Sequence, residues 1–251
     1  MSENNGYKGM LNKAGYFENY GYCPCCNSLT KFVAEGTWWR DQYRCVNCNS
    51  IPRERALMFC VDKYLPDWRE LQIHESSPAE RGASVRLSKE AKSYMPTHYF
   101  PNVRRGSKFN RFRCEDLCDL TFKDNSFDLT VTQDVMEHIF DPEKAFQEIA
   151  RTLKPGGLHI FTVPLVNKEK PSEVCAKYLP DGSIKYLSKP DYHGNPITEK
   201  GSLVTMRWGY DITDFIFQSC GLFTDIIFID NLNLGIRAEY IEVLITRKKE
   251  K

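Results

Sequence analysis

Two cysteine pairs carry the most specific chemistry in the sequence. Tyr22-Cys23-Pro24-Cys25-Cys26 and Arg44-Cys45-Val46-Asn47-Cys48 are C-x-x-C pairs with 18 residues between Cys26 and Cys45, the spacing of a zinc ribbon. Two intervening residues turn both sulfurs of a tight knuckle toward one ion about 2.3 Å away, and four thiolates fill a closed tetrahedron that leaves no position for substrate. The expected ligands are Cys23, Cys26, Cys45 and Cys48 around a structural zinc, with Cys25 a spectator; free or redox-active thiols are the competing reading. Losing one thiolate is expected to cost metal and stability while leaving any residual folded protein active. Cys60, Cys114, Cys118, Cys175 and Cys220 stand singly among apolar or mixed residues and read as small buried hydrophobes.

Trp38-Trp39-Arg40 lies between the pairs and Arg53-Glu54-Arg55 follows them. Aromatic and basic side chains together can stack on bases and hold phosphates, and they can equally supply the large apolar groups that a small ribbon needs for a core. The whole chain gives nucleic acid and anionic membranes little to hold: 34 Lys and Arg against 33 Asp and Glu leave a net charge of +1. Its 251 residues, 41% hydrophobic and 27% charged, suit one sizeable domain with a small appendage. No stretch approaches the roughly 18 to 20 apolar residues of a membrane span, and Met1-Ser2-Glu3-Asn4-Asn5 lacks the basic-then-apolar order of a secretion signal. A cytoplasmic, reducing location is therefore expected, where ten cysteines point to metal rather than disulfides.

The elements that must position these groups alternate strand and helix. Residues 1–20 read as a loosely ordered lead-in, 21–55 as the ribbon and 56–251 as the main domain. A helical pattern runs from Ala56 to Leu65, and Leu71 to Glu75 is a short strand. Phe127 to Thr132 is a strand, Pro142 to Leu153 a helix with proline in its first turn, and Gly157 to Val163 another strand. Strand, helix and strand at this spacing imply a parallel pair. The helix from Asp211 to Ser219 ends at Cys220-Gly221 and precedes two closing strands, Phe223 to Ile229 and Tyr240 to Thr246. The region from about 165 to 207 shows no regular pattern and reads as a lid or substrate-binding insertion.

The run Cys114 to Leu129, continued by Val135-Met136-Glu137-His138 and Leu153-Lys154-Pro155-Gly156-Gly157, resembles the type 11 methyltransferase family over roughly fifty residues. The resemblance implies a Rossmann-like α/β fold, with a mostly parallel seven-stranded sheet and helices on both faces, and S-adenosylmethionine as methyl donor. By position it places Asp116 and Leu117 at the adenine and Gln133 beside the cofactor cleft, where ligands of open parallel sheets bind at the carboxyl ends of strands. A turn-capping carboxylate is the plain alternative for Asp116. The first turn departs from the family's G-x-G, reading Glu75-Ser76-Ser77-Pro78-Ala79-Glu80-Arg81-Gly82. Ser76 and Ser77 are expected to offer amides and hydroxyls to the methionine end of the cofactor, and Glu75 to meet its ammonium. The second strand, read at Thr97 to Pro101, lacks the acidic residue that family members place there for the ribose, and Phe100 is the cofactor candidate in that segment.

If the acceptor is a hydroxyl, a neutral imidazole or a carboxylate would take its proton; the candidates are His138, His193, Asp134 and Glu137. His193 lies in Pro190-Asp191-Tyr192-His193-Gly194-Asn195-Pro196, a credible substrate loop. His74, His98 and His159 fall in strand segments and read as structural. The cysteine module, the methyltransferase pattern and this P-x-Y-H-G-N-P segment together resemble bacterial proteins of surface-glycan assembly, which implies a small-molecule or glycan acceptor and first of all a sugar hydroxyl. RNA methylation through the zinc module is the second reading, and a zinc-stabilised binding protein without catalysis the third.

Overall fold

The computed structural model describes residues 15–194 and 201–250. The chain begins with an antiparallel hairpin, β1 (Tyr16–Cys23) and β2 (Ser28–Glu35), whose register ends at Cys23↔Ser28 and so brings the first knuckle to its tip. The expected lead-in is therefore shorter than 20 residues, because Tyr16 to Tyr20 already belong to a paired strand. The short α1 (Trp39–Gln42) buries Trp39, and β3 (Tyr43–Cys45) pairs with β2, returning the second knuckle to the first. Next comes α2 (Pro52–Tyr64), with proline in its first turn and the Glu54 carboxylate accepting from Ile51 N at 3.1 Å, which satisfies an otherwise unpaired helix-end donor.

The main sheet is built from β4 (Gln72–Ser76), α3 (Gly82–Glu90), β5 (Ser93–His98), β6 (Lys108–Phe109), β7 (Phe112–Cys114), β8 (Phe127–Gln133), α4 (Pro142–Thr152) and β9 (Leu153–Thr162). An insertion follows, then α5 (Ile212–Cys220), β16 (Phe223–Ile227) and β17 (Val243–Arg247), the strands between being β10 (Glu173–Val174), β11 (Ala176–Tyr178), β12 (Ile184–Tyr186), β13 (Tyr192–His193), β14 (Ser202–Leu203) and β15 (Met206–Arg207). The spatial order is β16-β17-β9-β8-β4-β5-β7-β6. The pairs from β9 to β7 are parallel, while β17, β16 and β6 join antiparallel. This is the expected Rossmann-like sheet with one strand more than the seven expected; the eighth, β6, is a two-residue edge.

The second strand starts earlier than Thr97, at Ser93, and ends at His98. Pro96 sits inside it, where β7 pairs only with Thr97 and His98, so the missing amide donor leaves no ladder bond unmade on that side. The described residues between 165 and 207 are not irregular either: β10 pairs with β15, β11 with β12 and β13 with β14. At the far end, α5 stops at Gly221, whose φ of 73° is the left-handed closure expected there.

Helices cover both faces. On one face Leu129, Val131 and Ile160 join Ala56, Leu57 and Val61 of α2 in a cluster that runs on into Phe32, Trp39 and Tyr43 of the cysteine module. Phe146 and Ile149 of α4 and Ile212 and Ile216 of α5 pack with Phe161, Trp208 and Leu244 on the other. The module is thus continuous with the main core.

Three histidines are buried in the sheet as neutral rings. His74 meets Thr97 Oγ1 at 2.9 Å, His159 meets Thr132 Oγ1 at 3.0 Å, and Nδ1 of both is buried without a hydrogen bond. Burial pushes His74 and His159 down to about 3 and His98 to about 4. Because the unfolded chain protonates near pH 6.5 and the folded one does not, stability is fully present above that pH and falls as the pH drops through it. Each of His74 and His159 is expected to cost about 2 kcal/mol between pH 7 and pH 5. Urea midpoints at the two pH values check this, and His159→Gln should flatten the slope; equal stability at both would refute neutral burial.

Candidate functional site

The four knuckle sulfurs converge. Cys23 Sγ and Cys48 Sγ are 3.7 Å apart, Cys26 Sγ and Cys45 Sγ 3.8 Å, and all four lie within 4.8 Å of one another. Bonds of 2.3 Å to a central ion give a tetrahedral edge of about 3.8 Å, so the donor set fits zinc. Ser50 Oγ approaches Cys23 and Cys48, and Ser28 Oγ approaches Cys26, as hydroxyls supporting thiolates do. Cys25 is buried outside the set. Beneath it lies Arg55, fully buried, donating to the carbonyls of Tyr43, Ser50 and Gly235. These acceptors are neutral, and a tetrathiolate zinc centre would supply the missing counter-charge.

Trp39, Arg40 and Arg53 of the aromatic and basic runs also turn inward, against the nucleic-acid reading of them. Of the aromatic pair, Trp39 is core while Trp38 is exposed, its indole N–H donating to Asp41; Tyr22 and Arg44 are exposed as well. Arg40 Nη2 donates to Asp134 Oδ2 at 2.6 Å, and Arg53 Nε lies 2.8 Å from the same oxygen as an ion pair without hydrogen-bond alignment. Thr162 Oγ1 donates to the other carboxylate oxygen. Burial would raise the Asp134 pKa, but the two guanidiniums prevail and hold it well below the usual carboxylate range. Asp134 is therefore unsuited to the base role expected of it: it clamps the module to the end of β8.

The expected cofactor residues lie at or just beyond the carboxyl ends of β4, β5, β7 and β8. Ser76 is buried, Ser77 takes a left-handed φ of 57° and Gly82 one of 58°. A Cβ on Gly82 would fall 2.2 Å from Glu54 Oε2, so glycine is required where the turn meets α2. Arg81 Nε also donates to Glu54, at 2.8 Å. Glu75 does not face a ligand: its buried carboxylate, its pKa raised by burial, accepts from Ser84 Oγ at 2.6 Å, Tyr94 OH at 2.7 Å and Gln133 Nε2 at 2.8 Å. That network fixes the Gln133 amide and leaves its buried Oε1 without a hydrogen bond. Asp116 accepts from Cys118 N at 2.8 Å, the turn-capping role, beside buried Leu117. Phe100 lies beyond the end of β5 and stacks edge-on against Phe109 at 4.8 Å.

The expected acceptor-side histidines do meet. A cavity of about 220 Å³ at the ends of β8 and β9 is lined among others by Glu137, Asn167, Asp191, His193, Met206 and Arg207. His138 Nε2 and His193 Nδ1 each lie 3.7 Å from Glu137 Oε1, and the two rings are 5.1 Å apart and nearly perpendicular. The Glu137 carboxylate draws the His193 pKa upward, against the effect of burial. The insertion holds the group in place: Thr205 donates to the carbonyls of Glu137 and Ile139, and His138 Nδ1 is 2.8 Å from Leu203 O. Asn195 and Pro196 of the expected substrate loop lie outside the described residues. Sequence reasoning missed Arg40, Arg53 and Arg55 as inward-facing groups, and Ser84 and Tyr94; the Arg-x-Arg shortly after the second knuckle was the signal for Arg53 and Arg55, and the others had none.

Residues 83–161 match the family described as Methyltransferase domain. A glycine/sarcosine/dimethylglycine N-methyltransferase of Actinopolyspora halophila is 29% identical over 83 residues, which cover 33% of this chain and 15% of that one. An uncharacterized methyltransferase of Schizosaccharomyces pombe is 31% identical over 149 residues, covering 52% of this chain and 48% of that one. The chain spans less than half the length of either relative. Among solved structures, the 1,6-didemethyltoxoflavin-N1-methyltransferase of Burkholderia thailandensis, with 1,6-didemethyltoxoflavin and S-adenosylhomocysteine bound, matches with a TM-score of 0.51 at 11% identity, covering 79% of each chain. At that identity the likeness establishes the fold. No helix among the described residues is long and apolar enough to cross a membrane.

Proposed function

We propose that this chain transfers a methyl group from S-adenosylmethionine to a small polar acceptor, first of all a sugar hydroxyl, with a structural zinc in its four-cysteine cluster. The observation that carries this reading is the juxtaposition at the carboxyl ends of β4 and β8. Gln133, with a buried acceptor oxygen left free, adjoins the turn after β4, and four residues on Glu137 opens into a cavity of mixed polar and apolar lining. The free Gln133 Oε1 suits the ammonium of the methyl donor, so the residues present fit the cofactor. Ser76, Ser77, Asp116, Leu117 and Phe100 are the further candidates to hold it.

When bound, S-adenosylmethionine supplies an electrophilic methyl group. The protein's share is positioning and exclusion of water. Glu75 orients Gln133 through Nε2, the insertion closes over the acceptor cavity, and Glu137, His138 and His193 face the place where a hydroxyl must give up its proton. The near-neutral charge and the inward guanidiniums of Arg40, Arg53 and Arg55 weigh against RNA as acceptor.

Calorimetric titration with S-adenosylhomocysteine is expected to give micromolar binding. Gln133→Ala should weaken it about 10- to 100-fold, the effect of one hydrogen bond to a charged group, with circular dichroism unchanged. Folded wild-type protein that binds nothing would transfer the case to the binding-protein reading.

A further inference from the structure

We propose that Glu137, His138 and His193 bind a divalent cation at the cavity wall. Glu137 is 2% exposed, and neither carboxylate oxygen receives a hydrogen bond. Leaving a buried carboxylate unpaired is costly, and the groups closest to compensating it are the two imidazole nitrogens at 3.7 Å, beyond hydrogen-bond length.

The proton inventory sharpens the point. A carbonyl oxygen can only accept, so at 2.8 Å from Leu203 O the His138 Nδ1 must carry the hydrogen. The neutral ring then presents a bare Nε2 lone pair to Glu137, whose oxygens are lone pairs as well. His193 brings a third donor atom to the same place. Three Lewis bases face one another; a proton on His193 alone would pair it with Glu137 at 3.7 Å but leave His138 Nε2 bare, and charging both rings would set two imidazolium ions 5.1 Å apart. A single cation satisfies all three.

The geometry is that of a site needing only slight closure. The three ligand atoms lie within 4.8 Å of one another, with two of the separations at 3.7 Å, against edges of about 3.4 Å for a tetrahedron with 2.1 Å bonds. His138 already makes the outer hydrogen bond, from its remote nitrogen to a backbone carbonyl, that metal-bound imidazoles characteristically make. Two imidazoles and a carboxylate suit first-row divalent ions and leave coordination positions open. Glu137 and His193 line the cavity, so those positions face it. There they would take the hydroxyl oxygens of an acceptor and lower the pKa of the one to be methylated; this last role, though not the cation site, rests on the methyl-transfer reading.

Manganese(II) separates this site from the cysteine cluster, because thiolates favour zinc. Protein carrying a single equivalent of zinc, which the thiolates retain, is titrated with manganese(II) with free ion followed by electron paramagnetic resonance, and is expected to take up one equivalent. Glu137→Gln and His193→Ala should each weaken uptake at least tenfold, and circular dichroism should show both variants folded. No uptake by folded wild-type protein, or uptake indifferent to both substitutions, would overturn the proposal. A parallel titration with S-adenosylhomocysteine keeps the two readings apart. Manganese uptake without nucleoside binding would sink methyl transfer and spare the cation site; nucleoside binding without manganese uptake would do the reverse.

Discussion

Stripping the cysteine cluster of the proposed zinc, by chelation or by Cys45→Ser, is expected to unfold the whole chain in one transition and to abolish S-adenosylhomocysteine binding with it. Structural zinc contributes on the order of 10 kcal/mol to the folding of small modules, as much as the total stability of an ordinary domain. Here the module cannot melt alone. Phe32, Trp39, Tyr43 and Cys45 share one buried cluster with Ile73, Leu129 and Ile160 of the sheet, so freeing the hairpin would expose the face of the main domain. Arg55 would lose the counter-charge argued above while remaining bonded to Gly235 O, between the two closing strands. Arg40 and Arg53 would release Asp134 beside the acceptor cavity. The sequence alone suggested a small appendage whose loss of a thiolate leaves some folded, active protein; the packing predicts that none stays folded. Thermal melting by circular dichroism with and without chelator, with zinc quantified by atomic emission, provides the check. Two resolved transitions, or nucleoside binding that survives loss of the metal, would show the module to be independent after all.

The difference between those two expectations marks where the sequence stopped being legible. Local chemistry was readable. The C-x-x-C spacing placed the four sulfurs, and alternating strand and helix signals gave the parallel centre of the sheet. Pro142 and Gly221 marked a helix start and a helix end within a residue or two. Those signals act over a few positions, which is the range that spacing and propensity describe. The clasp from Arg40 to Asp134 spans 94 residues, and no local pattern distinguishes an arginine bound for a buried carboxylate from one bound for phosphate. The same holds for Glu75, which looked like a ligand residue by its place in the first turn. Its carboxylate is consumed by Ser84, Tyr94 and Gln133, from three other elements, so its effect on any ligand passes through Gln133.

The second strand was misplaced for a related reason. The strand was read from Thr97, yet it runs through Pro96, because the neighbouring β7 is too short to ask for the missing donor. The insertion was hidden by size: paired strands of two or three residues carry no detectable period. Even so, its Pro190 to Pro196 segment was singled out by composition, and the structure brings His193 from it to Glu137 and His138, more than fifty residues away in sequence.

Asp134→Asn is expected to destabilise the protein by about 3–5 kcal/mol, the cost of leaving buried charge unpaired. The side chains of Arg40 and Arg53 are only 10% and 15% exposed, and both point at one carboxylate oxygen. Asparagine keeps the shape of the site and, like aspartate, tolerates the left-handed backbone found here, with φ at 52°. The loss is therefore electrostatic rather than conformational. A double-mutant cycle with Arg40→Met should recover part of it, because removing one stranded guanidinium lowers the penalty for losing its partner. Urea unfolding of the four proteins measures the coupling, which should be on the order of 1–3 kcal/mol. The experiment also decides between two roles for the same side chain. A clamp loses stability first, and manganese affinity with it, because Val135 to His138 hang directly from the clamped residue. A general base loses turnover alone, with a changed pH profile and an unaltered urea midpoint. An Asp134→Asn protein as stable as wild type but catalytically dead would return Asp134 to the chemistry and leave the arginines as its modulators.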